Sequence, residues 1–247
     1  MIDESKRRRR DQIMSLIVAV KDKDRYVLGA DKQSSAGGNK DHSATKIWEV
    51  GNCPGIVMGG VGSARATQVI QYSNIIDLNC LSRGCTTEYI VCSVVPEIVS
   101  ALEAHGICCS PNPDDKTKII PNAFLIAIDD QAWVIWHDLS VIEVEDYFAI
   151  GSGSDVATGA LYATKDKNPF ERIVTCIDAA AETTLFVDDG VDLVATSIKK
   201  EDKKLIAKAL NIPEIMLEED HKEEQADSHK ETATTKTSKK SKKSAKK

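Results

Sequence analysis

The chain has 247 residues, of which 42% are apolar, 28% are charged and only 5% are aromatic. This length suffices for a large hydrophobic core, which must consist mainly of aliphatic side chains. No apolar run approaches the roughly 18 residues that a membrane-spanning helix needs. The basic run at 7–10 is not followed by the long apolar stretch of a secretory signal. We therefore expect neither a membrane-spanning nor a secreted protein.

Charge is unevenly distributed along the chain. Residues 14–217 carry 18 of the 32 basic and 28 of the 38 acidic side chains, a net charge of −10. A nucleic-acid-binding groove needs clustered Lys and Arg on the folded surface, so nucleic acid is not expected as a partner. Residues 218–247 are charge-blocked and rich in Lys, Ser and Thr, which predicts a disordered, solvated tail.

The chain contains seven cysteines and no CxxC motif. Their odd number and mostly apolar surroundings predict buried, reduced thiols in a cytoplasmic protein. No second cysteine pair lies near the adjacent Cys108 and Cys109. No metal ion and no other cofactor is therefore expected.

The first sixty residues have the pattern of two β-hairpins. Apolar runs at 15–20 and 25–31 flank the turn sequence KDKD, and those at 46–50 and 55–60 flank a Gly-Asn turn. Residues 32–45, between the hairpins, are polar and Gly-rich, which predicts a loop.

Two helices are predicted next. Apolar residues at helical spacing indicate a helix over 62–80, with Ile75 and Ile76 on its apolar face, and another over 86–105. The apolar residues of both helices extend beyond one buried stripe, so part of this surface is expected to contact neighbouring subunits. The exposed candidates are Tyr72, Tyr89 and Cys92.

The second half repeats this order of strands followed by helices. Two antiparallel sheets stacked face to face, each covered by helices on its outer face, accommodate the order, whereas a doubly wound parallel sheet requires strand and helix to alternate. The prediction is an α+β protein with a four-layer αββα sandwich. Its second half consists of a hairpin at 123–139, a strand at 141–150, a helix after the GSGS sequence, a helix from Pro169, a strand at 191–198 and a short helix at 201–210.

Two glycine-rich turns, at 59–62 and 151–153, each connect a strand to a helix. Neither has the Lys-Ser/Thr pair of a phosphate-binding loop or the pattern GxGxxG. We expect a close backbone approach at each turn, whose N–H groups can hold an oxyanion. His137 and Asp138 have no adjacent nucleophile and are predicted to be a surface pair.

Three longer motifs stand in a fixed order: VLGADKQSSAGG, KIWEVGNCPGIVMGGVGSA and YFAIGSGSDVATGALYA. Together they resemble proteasome β-type subunits and the related bacterial peptidase of the two-component ATP-dependent protease, over about residues 15–197. The resemblance implies the αββα fold of an N-terminal-nucleophile (Ntn) hydrolase. In that family the hydroxyl of the first residue attacks a peptide carbonyl, and its own α-amine moves the proton.

Carried over residue by residue, the resemblance implies Ser15 as the nucleophile and Asp31 and Lys46 as the charged pair beside it. It also implies Gly59 as the oxyanion-hole glycine and Ser152 as a helper hydroxyl. The charge of Lys46 would lower the proton affinity of the α-amine. The alternative role for Asp31 and Lys46 is a buried ion pair that joins two strands.

Two departures from the family bear on catalysis. Ser15 stands in place of Thr and lacks the methyl group that fixes the hydroxyl rotamer. With a KDKD turn one residue longer, the first position would fall on Met14. Thr184 and Val187 align with the family's Asp-x-x-Ser, so that carboxylate and hydroxyl are missing.

An N-terminal nucleophile needs a free α-amine, yet fourteen residues precede Ser15. Met14 before a small residue is the pattern that methionine aminopeptidase removes, and AGG codons for Arg7–Arg10 would form a ribosome-binding site at a workable distance. We therefore expect translation to start at Met14. The predicted organisation is an extension or mis-assigned start at 1–14, an Ntn hydrolase domain at 15–217 and the tail at 218–247.

The predicted function is a subunit of a self-compartmentalising protease. It would work as a cytoplasmic ring of identical or homologous subunits that hydrolyses peptides or unfolded proteins, served by an ATP-dependent unfoldase. Two alternatives stay open: a catalytically inactive structural subunit of such a ring, and an Ntn acylase of small amides. A mature chain that begins at Ser15 favours an enzyme, and activity on small amides but not peptides favours an acylase.

Overall fold

The computed structural model describes residues 15–36, 39–41, 45–51, 55–76, 86–107, 109 and 118–213. They belong to two compact units that divide between Ile198 and Lys199. The first unit contains every strand of the described chain. The second contains one helix, α5 (Asp202–Leu210).

The described strands pair in antiparallel fashion throughout. They are β1 (Leu16–Asp22), β2 (Arg25–Asp31), β3 (Ser34–Ala36), β4 (Asn39–Asp41), β5 (Ile47–Glu49), β6 (Ile56–Gly62), β7 (Asn122–Ile128), β8 (Gln131–Ile135), β9 (Val141–Val144), β10 (Tyr147–Gly151) and β11 (Val191–Ala195). The first sheet has the order β10–β1–β2–β11 and the second the order β5–β6–β7–β8–β9.

Helices lie in the chain between the strand groups, as predicted. They are α1 (Ala64–Gln71), α2 (87–104), α3 (Ser154–Ala163) and α4 (Pro169–Thr183). Ser63 caps α1 and Asn168 caps α4, each by accepting a backbone N–H of the first turn. None of the helices in the described part of the chain combines the length and apolarity needed to cross a bilayer.

The two sheets enclose a common apolar core. Successive side chains of a strand point to opposite faces, so alternate residues of β1 and β2 face the second sheet. Ile17 and Leu28 of the first sheet are fully buried in one cluster with Val57, Leu125 and Val134 of the second.

Helices cover the outer face of each sheet. Ile70 of α1 and Ile98 of α2 are buried in a second cluster with Phe124 of β7. On the first sheet, α4 packs so closely that a Cβ at Gly29 would lie 2.1 Å from Cγ2 of Ile173. The first unit therefore has the predicted four-layer αββα arrangement.

Helix α2 widens in its middle. Its first turn is Thr87–Tyr89, the segment Ile90–Val94 is π-helical, and Val95–Ala104 is α-helical. Pro96 lacks an N–H and would collide with the carbonyl four residues earlier in a regular helix. The wider π turn just before it, with the Val95 N–H on the Ile90 carbonyl, accommodates this proline.

The predicted helix over 62–80 is too long. Helix α1 ends at Gln71, and 77–80 lie outside the described residues. Ile75 and Ile76 are buried as expected, but in non-helical backbone beyond the end of α1. Apolar spacing predicts burial, and the backbone can bury two neighbouring side chains without remaining helical.

Two strand predictions also need correction. The segment 32–45, predicted as a loop, contains the β3–β4 pair, in which Ser34 is opposite Asp41. The single strand predicted at 141–150 is two strands in different sheets, since β9 pairs with β8 and β10 with β1. The chain changes sheet at Glu145 and Asp146, between them.

Cysteine reactivity tests this packing. The thiol of Cys92 is exposed, whereas Cys109 and Cys176 are buried and burial raises the pKa of Cys176 to about 12. Because the thiolate is the reactive form, we expect iodoacetamide at pH 8 to alkylate Cys92 and to spare Cys176 until the protein is denatured. Mass spectrometry of each cysteine-containing peptide measures this. Equal alkylation of Cys92 and Cys176 in the native protein would contradict the described packing.

Candidate active site

Ser15 lies immediately before β1, against the turn that follows β10. The backbone N–H of Ser152 donates a hydrogen bond of 2.8 Å to the carbonyl of Ser15. Gly151, at φ +105°, approaches so closely that a Cβ on it would lie 2.0 Å from the same carbonyl oxygen. Only glycine satisfies both the left-handed backbone and this contact. The glycine turn therefore fixes the backbone position of Ser15.

Asp31 and Lys46 form a buried ion pair beside the start of β1. The Asp31 side chain is fully buried, and its Oδ1 accepts from the Leu16 N–H at 2.7 Å and from Lys46 Nζ at 2.6 Å. Asp31 ends β2 of the first sheet, and Lys46 immediately precedes β5 of the second. The pair therefore joins the two sheets next to Ser15.

Burial and mutual attraction act on this pair in opposite directions. Removal from water raises the pKa of Asp31 and lowers the pKa of Lys46. Their attraction and hydrogen bond oppose both shifts, and Asp188 and Asp192 also help to keep Lys46 charged. Each of the two groups is therefore kept ionised by the presence of the other.

Gly59 lies in β6, opposite Ile47 of β5. A Cβ on Gly59 would lie 3.2 Å from the carbonyl oxygen of Lys46, and the neighbouring Gly60 N–H donates to that oxygen at 3.1 Å. The five residues predicted for the site therefore lie in one region, linked through contacts of their backbones and of the Asp31–Lys46 pair. They are Ser15, Asp31, Lys46, Gly59 and Ser152.

The loop after α4 holds the positions that depart from the family pattern. The Thr184 hydroxyl donates to the Ala180 carbonyl at 2.7 Å, and Val187 is buried. The loop nevertheless carries a carboxylate, Asp188, whose negative charge raises the pKa of Lys46. Asp188 Oδ1 accepts the Gly190 N–H at 2.8 Å.

Gln33 is a site neighbour that sequence reasoning missed. It is fully buried, its N–H donates to Asp31 Oδ2 at 3.2 Å, and its Nε2 donates to the Leu185 carbonyl at 3.1 Å. It lay in the segment that was predicted to be a polar loop. The available signal was its position two residues after Asp31.

The other sequence candidates lie in local turns. The His137 ring nitrogen Nδ1 is 3.3 Å from the Ile120 carbonyl, and Asp138 Oδ1 accepts both the N–H and the hydroxyl of Ser140. Cys108 lies outside the described residues. Within the described ranges no three His, Cys, Asp or Glu side chains come together in a group that could hold a metal ion.

Comparison with known proteins bears on the fold. No protein-family model matches the sequence, and no curated protein matches it. Two solved structures of BPH from Thiobacillus denitrificans, a bacterial proteasome-like protein, are similar to the chain at 22% sequence identity. The BPH complex with epoxomicin has a TM-score of 0.59 and matches 74% of this chain and 99% of its own, and the second structure has a TM-score of 0.58 and matches 75% and 99%. The chain therefore has the proteasome-like Ntn-hydrolase fold.

Proposed function

We propose that this chain is a proteasome-like peptidase subunit in which Ser15, as the first residue of the active protein, is the nucleophile. The observation that carries the proposal is the buried Asp31 carboxylate, whose Oδ1 accepts both the Leu16 N–H and the Lys46 ammonium. This arrangement places a cation next to the peptide unit that joins residues 15 and 16. The positive charge of Lys46 at that position favours the neutral, basic form of an α-amine on Ser15.

In the proposed reaction, the neutral α-amine of Ser15 takes the proton of its own hydroxyl while Oγ bonds to the peptide carbonyl carbon. The carbonyl oxygen becomes an oxyanion next to Gly59, the residue that the family resemblance assigns to its stabilisation. The resulting ammonium then gives its proton to the leaving amine as the C–N bond breaks. An ester between Ser15 and the acyl part of the substrate remains.

Water completes the cycle. The α-amine, again neutral, takes a proton from the attacking water, whose oxygen bonds to the ester carbonyl carbon. Collapse of the second tetrahedral intermediate breaks the bond to Oγ, and the proton returns to the Ser15 oxygen. Lys46 keeps its proton throughout, and Asp31 holds the ammonium of Lys46 in place. Ser152, whose N–H binds the Ser15 carbonyl, is the proposed helper that positions the nucleophile.

The proposal is tested with protein produced so that it begins at Ser15. We expect it to hydrolyse fluorogenic acyl-peptide amides and to retain epoxomicin, the compound in the BPH complex. The matched controls are the chain beginning at Met1, in which the nitrogen of Ser15 is an amide, and Ser15→Ala. Both are expected to lose hydrolysis by about 10³-fold or more, because nucleophile and base act as a unit.

The outcomes separate the possible functions. Equal hydrolysis by the chain that begins at Ser15 and the chain that keeps residues 1–14 would overturn the mechanism. Hydrolysis of small amides alone would favour the acylase. Absence of both hydrolysis and epoxomicin binding would favour a structural subunit, the alternative that the uncharged Thr184 and Val187 support.

Assembly into a ring of like subunits is part of the same proposal. Tyr72, after α1, is 84% exposed, and Cys92 of α2 is exposed too, while Tyr89 packs partly against the core. Sedimentation of the Ser15 form at micromolar concentration measures the assembly. A monomer at that concentration would argue against a ring.

A further inference from the structure

We propose that Gln33 is a positioning residue that clamps the loop 184–190 against the Asp31–Lys46 pair. The inference rests on the proposed function, because it assigns Gln33 a task in setting the α-amine of Ser15. Gln33 does not itself touch the reacting atoms.

The clamp consists of two hydrogen bonds from one buried residue. The Gln33 N–H donates to Asp31 Oδ2, and the side-chain Nε2 donates to the carbonyl of Leu185, 152 residues further along the chain. The Leu185 side chain is 78% exposed, so the apolar anchor of the loop is the buried Val187, two residues further on. The side-chain amide of Gln33 supplies the hydrogen bond that holds the Leu185 carbonyl.

Both ends of the loop are attached to parts of the site. At its beginning, Thr184 lies against Gly153: a Cβ placed on this glycine would be 3.5 Å from Oγ1 of Thr184. Gly153 belongs to the turn whose Ser152 N–H binds the Ser15 carbonyl. At its end, the Gly190 carbonyl accepts the N–H of Lys32 at 3.1 Å. Between the two ends, Val187 is buried and Gln33 holds the Leu185 carbonyl, directly behind the Asp31 carboxylate.

The position of this loop matters because it carries charge. The charged groups around Lys46 are Asp31 of β2, Asp188 of the loop and Asp192 of β11, the last paired with Lys32 at 3.0 Å. Asp188 is the one of these whose distance from Lys46 depends on the loop. Release of the loop would move this negative charge away and make an ammonium group on Ser15 less favourable.

The experiment replaces Gln33 by Met, which has similar length and no donor, in the chain that begins at Ser15. The matched control is Gln131→Met, at a half-buried glutamine that begins β8. One readout is the apparent pKa of the Ser15 α-amine, from the rate of its acetylation by acetic anhydride at different pH values. The other is kcat and KM for the fluorogenic peptide.

We expect Gln33→Met to lower the apparent pKa of the α-amine by about 0.5. Because this shift alone leaves more of the amine neutral at neutral pH, we expect kcat to change by less than about threefold, with KM within about twofold. Gln131→Met is expected to change neither. If Gln33→Met does not fold, Gln33→Asn takes its place. The Asn amide is one methylene shorter and does not reach Leu185, so we expect the same result.

An unchanged α-amine pKa in Gln33→Met would overturn the inference whatever happens to kcat. Failure of both variants to fold would also overturn it, since the clamp would then be a requirement of folding. Absence of hydrolysis by the unsubstituted Ser15 form would contradict the proposed function, independently of the result for Gln33. In that case the α-amine pKa, which needs no turnover, still decides the role of Gln33.

Discussion

Replacement of Lys46 by methionine is expected to abolish peptide hydrolysis in the chain that begins at Ser15, with a fall in kcat of about 10³-fold or more. The ammonium lies 2.6 Å from Asp31 Oδ1, on the oxygen that also holds the Leu16 N–H. Without it, the α-amine of Ser15 binds its proton more tightly and is a poorer base at neutral pH. The control is Lys118→Met, which removes the exposed lysine paired with Glu103 at 2.7 Å and should leave kcat unchanged. Full turnover in Lys46→Met would refute the mechanism.

The same variant should show a characteristic dependence of stability on pH. With Lys46 removed, burial raises the pKa of Asp31 further above its unfolded value of about 3.9. Folding then favours the protonated carboxyl, so stability is greatest below about pH 4 and falls as pH rises through the folded pKa. Thermal unfolding of the variant and of the unsubstituted protein between about pH 4 and 8 measures this difference.

Asp31→Asn is expected to have the larger effect on stability, a loss of about 3–5 kcal/mol in the free energy of unfolding at pH 7. It leaves the 5%-exposed Lys46 without its counter-charge. It also places an NH₂ group where Oδ1 accepts from Leu16 and Lys46 or where Oδ2 accepts the Gln33 N–H. Chemical denaturation measures the loss, and Glu103→Gln, at the exposed pair with Lys118, should lose at most about 1 kcal/mol.

The pH dependence of Asp31→Asn should have the opposite sign. Burial holds the folded pKa of Lys46 below its unfolded value of about 10.4, and removal of Asp31 lowers it further. Folding then favours the neutral amine, so stability increases as pH rises towards about 10. The Asp31→Asn/Lys46→Met double variant should lose less than the sum of the single variants. Parallel pH profiles for the two single variants would contradict the buried ion pair.

The first hairpin shows what the sequence could predict about the fold. The predicted run 25–31 coincides with β2, whereas β1 begins one residue later than the predicted run 15–20 and extends to Asp22, so that the turn is shorter and includes Lys23 at φ +58°. Short-range pattern suffices there because both strands and their turn lie within one local segment. The same holds for α4, whose start at Pro169 was predicted from proline's preference for the first turn.

The assignment of strands to sheets was harder to predict. The segment 141–150 has continuous strand character, but β9 extends the second sheet and β10 pairs with β1 of the first. Strand propensity describes a fit to a pleated surface and carries no information on which neighbour is present. The turn at Glu145 and Asp146 is visible only once both sheets are formed.

The candidate site likewise contains residues that the sequence could predict and residues that it could not. Asp31, Lys46 and Ser152 were assigned because they stand in motifs that resemble a family. Gln33 and Asp188 were missed, because the contact between Gln33 and Leu185 spans 152 residues and the effect of Asp188 on Lys46 depends on how the loop folds back. No periodicity within a window of sequence reports such pairings.

Because the ion pair lies between the sheets, the proposed chemistry at Ser15 depends on the docking of one sheet on the other. A β1–β2 hairpin alone would hold Ser15 and Asp31 close together, but Lys46 arrives only when the second sheet docks on the first. A nascent or partly unfolded chain therefore lacks the cation that activates the proposed nucleophile. A chain that still exposes its own apolar segments could therefore not cleave itself or its neighbours.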